Sequence, residues 1–430
     1  MKFTAAGDAI IQKRIYDDFE GYNELRPFIM EGDARFFNLE TTLNHEGEAS
    51  ASQFSGGTYL RTNPEVLDDL KKFSFNMTTF NNNHALDFFY DGFECTLNAL
   101  NSSGLVHSGA GRNLAEASAP KYLETKNGRV ALIAVNTSYF NASLIAGEQT
   151  ARVKGRPGIN GLRVESYVEL PKEDFEYIKA LAKITNINAA KEITRKEGYH
   201  PELNENECEF GDLKFKLSDK PKFVREINKA DIARVDRAIN EAKLQADYIM
   251  ISVHSHQLEG DKKETPSNFL IDFAHHCIDM GANAIIGHGP HLLRPMEVYK
   301  DSPIFYSLGD FILQLYDIEF APEDFFMKHG LTSQSTVHEL LKKRSKDFTV
   351  GLMTDKRMFR SVIPFWETEG TKLKSLTFMP IEMDMTGNKS DIGLPRRSYN
   401  PEIYEYFKEM CEPYGIKMSI NNDHLIEVKW

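Results

Sequence analysis

The sequence predicts a layered α/β protein, and three observations carry that expectation. Short apolar runs of strand length recur along the chain, helical patterns fill the gaps between many of them, and chemistry-bearing polar residues follow directly after the strands. Strands are read at residues 2–6, 35–38, 76–80, 130–136, 248–254, 284–287 and 304–308. A helix is read over 64–73, with Thr62 or Asn63 as its cap and Pro64 in the first turn. Others are read over 92–101, over 229–246 from its apolar spacing, and over 267–280, which stops at Gly281. The stretch from about 150 to 225 breaks the rhythm with dense charge and is read as an insertion, part helix, packed on one side of the core. Residues 1–348 then form the core around it, and 349–430 form a β-rich extension packed on that core. Its strands are expected at 350–353, 360–366, 373–382 and 424–428, with a helix at 401–411.

The composition excludes some functions. Of 430 residues, 41% are hydrophobic and 27% charged, as in ordinary globular proteins. The net charge of −12 argues against a nucleic-acid partner, because such binders neutralise phosphates with basic side chains. A small anionic substrate held by a few local cations stays compatible with it. The cysteines, Cys95, Cys208, Cys277 and Cys411, are far apart and suggest neither a zinc ribbon nor a disulfide framework. Reduced thiols, no apolar leader and no stretch of about 20 apolar residues give the expectation of a soluble, cytoplasmic protein without a membrane anchor.

Open α/β sheets place ligands beyond the carboxyl ends of their strands. Five strand ends carry candidate ligands. Gly7-Asp8 follows the first strand, and Asp8 either offers an oxygen ligand or caps a turn. Glu40, in Asn38-Leu39-Glu40, is a carboxylate at the second strand end or a cap of the next segment. In Asn81-Asn82-Asn83-His84-Ala85-Leu86-Asp87, Asn83 offers a neutral carbonyl oxygen. His84 can act as an acid or hydrogen-bond donor towards an oxyanion, and Asp87 can orient its imidazole if the turn is helical. A purely structural Asn-rich turn is the alternative. His254-Ser255-His256 ends a buried strand, where alternation puts both imidazoles on one face unless either is simply a core histidine. Gly287-His288-Gly289-Pro290-His291 holds two more on a tight turn. Carboxylate, amide oxygen and imidazole together suit a borderline divalent ion better than magnesium. Two ions about 3.5–4 Å apart can clamp a phosphoryl group.

These motifs, in this order and followed by Ser307-Leu308-Gly309-Asp310-Phe311, resemble the CapA family of capsule and poly-γ-glutamate synthesis proteins. The resemblance covers roughly residues 1–315 and rests chiefly on Asn82–Asp87 and Gly287–His291. It implies a calcineurin-like metallophosphoesterase fold, a four-layer sandwich of two mixed sheets flanked by helices. It further implies that Asp8, Glu40, Asn83, His254, His288 and His291 are metal positions and that His84 is the catalytic histidine, supported by Asp87. Glu40 is the expected bridging ligand. Asn38 competes for that place and is otherwise grouped with the substrate side. The sequence departs from the pattern at Ile10, where a histidine is usual, at the spacing that leads to His291, at His254-Ser255-His256 for His-Trp-Gly, and at Asp310 for asparagine. One or two ions of manganese, iron or zinc are therefore expected. Arg61, Arg156, Asn160, His256 and Arg294 are further substrate-binding candidates, with solvated or surface-paired arginine as the alternative. The function expected first is metal-dependent hydrolysis of a small phosphoester. The alternatives are a non-hydrolytic accessory role in polymer synthesis, acting on a glutamyl or peptide-like compound, and metal-free carboxylate binding, suggested by Ile10.

Overall fold

Alternation along the first strand, Lys2–Ile10, decides how the molecule is layered. Phe3 and Ala5 point into a buried cluster with Val130, Leu132, Tyr248 and Met250. Ala6 and Ala9 point the other way, into a cluster with Leu25, Ile29, Leu70 and Leu97 of the helices Glu20–Ile29, Val66–Lys72 and Phe89–Ser103. Phe36 and Phe37 of the next strand divide in the same way. One face of this sheet therefore packs on a second sheet and the other on helices.

The computed structural model describes residues 1–385 and 387–430. The first sheet runs, edge to edge, through Lys417–Ile420, Ile426–Lys429, Lys372–Met383, Arg360–Glu369, Lys2–Ile10, Ala34–Leu39, Met77–Thr79 and Val106–Ser108, and Asp310–Leu313 also pairs with the first strand. The second runs through Met296–Tyr299, Ser302–Phe305, Ala284–His288, Tyr248–His254, Gly128–Asn136 and Lys121–Thr125. Both mix parallel and antiparallel pairs, which makes the fold the layered α/β sandwich of two mixed sheets flanked by helices. The C-terminal strands widen the first sheet. Arg360–Glu369 pairs antiparallel with the first strand, and Trp366 stacks on Phe3 while its indole N–H donates to the Tyr248 hydroxyl at 3.1 Å.

Several boundaries differ from expectation. The first strand continues past Ala6 to Ile10 because a register irregularity between Ala5 and Asp8 absorbs the Gly7 kink. The strand expected at 350–353 is a 3₁₀ turn at Leu352–Thr354, in a segment where Val350 is exposed rather than buried in a sheet. The helix expected from 64 starts at Val66, with Glu65 and not Thr62 or Asn63 in the capping position. Helix Pro401–Cys411 has the expected bounds, with Asn400 capping Glu402.

Residues Leu162–Ile232 form a unit of their own. It holds the helices Lys172–Thr185 and Ala189–Lys196 and a four-stranded sheet of Glu207–Phe210, Leu213–Leu217, Val164–Leu170 and Lys222–Ile227. Its small core is Phe175, Cys208 and Phe215. Among the described residues, no helix is long and apolar enough to cross a membrane.

Candidate metal centre

Pairing register brings the candidate ligands together. Asp8 lies opposite Asn38 on one neighbouring strand and Asp310 on the other. His254 lies opposite His288 in the second sheet. Glycine permits the close approach. A side chain at Gly7 would put its first carbon 1.7 Å from the Gly309 carbonyl oxygen, the group to which the Asp8 N–H donates at 3.0 Å. Gly289, at φ +117, turns its N–H onto Asp8 Oδ2 at 2.8 Å. His291 holds φ +61, a left-handed conformation that costs a residue with a side chain about 1 kcal/mol or more. Its Nδ1 lies 3.0 Å from Asp310 Oδ1, which fixes the ring.

Glu40 sits at the middle. It is wholly buried, and neither carboxylate oxygen has a hydrogen-bond partner. Three imidazole nitrogens face its Oε1: His254 Nε2 at 3.7 Å, His84 Nε2 at 3.9 Å and His291 Nε2 at 4.0 Å. Asp8, Asp310, His254, His256 and His288 complete three groups of donor atoms: Asp8 with His254 and His288, Glu40 with His254 and His256, and Asp8 with His291 and Asp310. Asn38 Oδ1 and Asp310 Oδ2 are likewise buried without partners. Asn38 donates through Nδ2 to Asp8 Oδ1 at 2.6 Å.

The electrostatics follow from this crowding. Burial first, then the Asp310 charge, pushes Asp8 up to about 7. Burial and the charges of Asp8 and Asp310 push Glu40 well above the carboxylate range, and burial also raises Asp310. Burial holds His254 and His256 far below the usual imidazole value and brings His288 down to about 3. Burial opposes a cation at His291 as well, but the Asp310 and Asp8 carboxylates outweigh it and raise that group. Raised carboxylates at Asp8, Glu40 and Asp310 beside depressed imidazoles at His254, His256 and His288 make a donor set that a divalent cation would stabilise. The unpartnered oxygens of Glu40, Asn38 and Asp310 meet the same test, so the residues present fit a metal.

His84 stands beside this centre. Its Nδ1 lies 2.7 Å from Asp87 Oδ2, and Asp87 is in turn fixed by the N–H groups of Gly56 and Leu60, each at 2.9 Å. With Nδ1–H donating to Asp87, Nε2 is left facing Glu40. Burial raises the Asp87 carboxyl. Asn83 anchors its Nδ2 on the Gly56 carbonyl at 2.9 Å, which turns Oδ1 onto His254 Nε2 at 2.6 Å.

The structure thus gathers Asp8, Asn38, Glu40, Asn83, His84, Asp87, His254, His256, His288 and His291. His256, expected on the substrate side, lies among the donors, with its Nε2 3.1 Å from His254 Nε2. The remaining candidates are engaged elsewhere. Arg61 donates to the Asn44 carbonyl and to Asn63, and its guanidinium lies 3.9 Å from the Phe320 ring centroid. Arg156 is exposed and donates to the Ile145 carbonyl. Asn160 bridges the Ala134 carbonyl and Arg234. Arg294 is buried and spends its guanidinium on the carbonyls of Lys263, Ser255 and His256, which secures the His256 loop. Asp310 is the donor the candidate list missed. Its place in Ser-Leu-Gly-Asp-Phe, at the end of the strand read at 304–308, was the available signal. A cavity of about 320 Å³ opens at His84 and His291.

Two mixed sheets flanked by helices, with acidic and imidazole donors gathered at their strand ends, define a layered α/β protein with a candidate metal centre. Residues 2–315 match the family described as bacterial capsule synthesis protein PGA_cap, and the chain belongs to that family. It is 28% identical over 437 residues to the uncharacterized protein y4sH of Sinorhizobium fredii, covering 97% of this chain and 91% of that one. It is 23% identical over 291 residues to the PGA biosynthesis protein CapA of Bacillus subtilis, covering 68% of this chain and 56% of that relative. Among solved structures, a hypothetical protein from Thermus thermophilus aligns over 89% of this chain and 99% of its own, at 12% identity and a TM-score of 0.41.

Proposed function

We propose that this protein is a metal-dependent hydrolase that cleaves a small anionic phosphoester. The observation that carries the proposal is Glu40, a fully buried carboxylate whose two oxygens meet no hydrogen-bond donor at bonding distance and whose Oε1 is faced by three imidazole nitrogens at 3.7–4.0 Å. Asp8, Glu40, Asn83, His254, His256, His288, His291 and Asp310 would hold one or two divalent ions of the manganese, iron or zinc kind. Such ions supply a Lewis acid for a phosphoryl oxygen and lower the pKa of a bound water towards neutrality. The protein's own residues do the rest. Asp87 accepts from His84 Nδ1–H and fixes the ring, so that Nε2 is aimed into the site and, when it carries a second proton, can pass it to the departing oxygen and return to the neutral Nδ1–H form. Asn38 and the Gly289 N–H hold Asp8 in place, and Arg294 holds the loop that carries His256. The net charge of −12 argues against a nucleic-acid substrate, and the four free thiols accord with a reducing, cytoplasmic location.

Elemental analysis of purified protein together with hydrolysis of p-nitrophenyl phosphate tests the proposal. The expected result is bound transition metal and turnover that chelator abolishes and manganese or zinc restores. A chain without metal that no divalent ion activates would contradict it.

A second reading is an accessory role in polyglutamate or capsule polymer synthesis without turnover. The description of the family and the name of the Bacillus subtilis relative favour it. Co-purification with an ATP-dependent ligase, in a protein that binds metal but hydrolyses no phosphoester, would select this reading.

A further inference from the structure

The cavity beside His84 has one wall made for charge and another made for an apolar body. On the first wall, Gly56, Gly57 and Thr58 run from His84 to Arg344. Gly56 touches the catalytic imidazole so closely that a side chain there would begin 2.7 Å from His84 Nδ1. Two residues on, Thr58 Oγ1 accepts from Arg344 Nη1 at 2.6 Å. Two extended residues span at most about 7 Å, so the guanidinium lies within one small molecule's length of the proton-transfer group. Ile10, Leu315, Phe348 and Leu352 form the apolar wall.

Arg344 differs from the other arginines considered for the substrate. Arg294 and Arg156 spend their donors on backbone carbonyls, and Arg61 divides its own between a carbonyl and Asn63. Arg344 makes the Thr58 bond and no ion pair among the described residues, which leaves most of its five donors available. It is exposed, and among the described residues lining the cavity it is the sole guanidinium or ammonium, with no carboxylate beside it. Its position is nevertheless fixed. It ends the helix Val337–Arg344, which begins in a capping box of Thr336 and Glu339 and buries Leu340 against Tyr59, Phe88 and Phe325.

We propose that this cavity holds the non-reacting part of the substrate, and that Arg344 with Thr58 binds a second anionic group there, a carboxylate or a phosphate. The inference rests on the reading of the strand-end cluster as the reacting centre. It narrows the substrate to a compact phosphoester that carries a second anionic group, the two separated by an apolar or aromatic spacer of about one ring. A planar fork of donors in a site without a competing carboxylate takes such a group in a bidentate manner.

Calorimetric binding of three non-hydrolysable probes to the manganese-loaded protein tests this: phenylphosphonate, 4-carboxyphenylphosphonate and 1,4-phenylenebisphosphonate. At least one of the two probes with a second anionic group is expected to bind about tenfold or more tightly than phenylphosphonate, and the better one identifies that group as carboxylate or phosphate. Arg344→Gln is expected to remove that preference and Arg344→Lys to keep part of it, with unfolding midpoints unchanged because the side chain is exposed. If the wild type shows no preference, or Arg344→Gln keeps it, the assignment is overturned. A preference that depends on Arg344 in a protein that hydrolyses no phosphoester would sustain the anion subsite and overturn the hydrolase reading alone.

Discussion

Asp69 and Glu40 are both fully buried carboxylates in the same unit, and the chain treats them in opposite ways. Asp69 accepts from Arg14 Nε at 2.6 Å and Nη2 at 3.0 Å, from Lys72 at 3.0 Å and from the Ile15 N–H at 2.9 Å. Burial alone would raise its pKa, but Arg14, the Ile15 N–H and Lys72 bring it below the usual value. Glu40 has no lysine or arginine beside it, only imidazoles at 3.7–4.0 Å, and burial with the charges of Asp8 and Asp310 raises its pKa. Where the chain supplies its own counter-ion, a buried charge is part of the scaffold. Where it supplies more carboxylates and neutral imidazoles instead, the carboxylate must hold a proton or take a counter-ion from outside, because an unpaired buried ion costs several kcal/mol.

That contrast can be broken or sharpened by substitution, and the largest effect is expected at Glu40. Glu40→Gln should abolish stoichiometric metal binding and chelator-sensitive turnover, read by elemental analysis and phosphatase assay. Its metal-free stability at pH 8 should not fall, and should rise by about 1 kcal/mol, because a carboxylate no longer has to ionise in the interior. His84→Gln should retain metal yet lose about 10³-fold in turnover, roughly 4 kcal/mol of barrier, measured at saturating substrate. Asp69→Asn should do the reverse of Glu40→Gln. It strands Arg14 and Lys72, so denaturant unfolding should show a loss of about 3 kcal/mol with metal content intact.

The pH dependence of the metal-free protein gives a smaller effect with a definite sign. Asp8, Glu40 and Asp310 hold protons in the folded state at pH values where the unfolded chain has released them, so their contribution to stability falls as pH rises. The depressed His254, His256 and His288 act in the opposite sense, but only below the ordinary imidazole value near 6.5, where the unfolded chain binds the extra protons. The raised His291 adds to the fall above that value. Metal-free protein should therefore lose about 1–2 kcal/mol between pH 6.5 and 8, and bound manganese should remove that slope. The smallest effect is expected for Asp310→Asn, which supplies the residue usual at this place in the family. It should weaken one class of bound ion about tenfold and leave the ion nearest His254 and His256, seen as a change in titration stoichiometry.

Much of this cluster of candidate donors was legible in the sequence because its members are local consequences of strand ends. A short apolar run followed by Gly-Asp, Asn-Leu-Glu, Asn-His or Gly-His states both a strand and a ligand, and parallel pairing then brings the ends together. Asp310 was hidden because it begins a strand of its own, Asp310–Leu313, and meets Asp8 through pairing between positions about three hundred residues apart. The arginines misled because a sequence shows a charge without showing its partner. Arg294 stands three residues from His291, yet backbone carbonyls occupy it, while Arg344 comes from a charged helical stretch with no motif around it. The strands of the Leu162–Ile232 unit were missed because sequences such as Lys214-Phe215-Lys216 bury one residue in three and show no apolar run.

The claim that Glu40 awaits a cation is tested most directly by crystals grown with manganese, measured at wavelengths that reveal its anomalous scattering. The account predicts a strong peak about 2.0–2.3 Å from a Glu40 oxygen, with imidazole nitrogens of the His254, His256 or His291 set around it. Absence of any peak near Glu40 in metal-soaked crystals, with its carboxylate turned onto a protein donor, would contradict it.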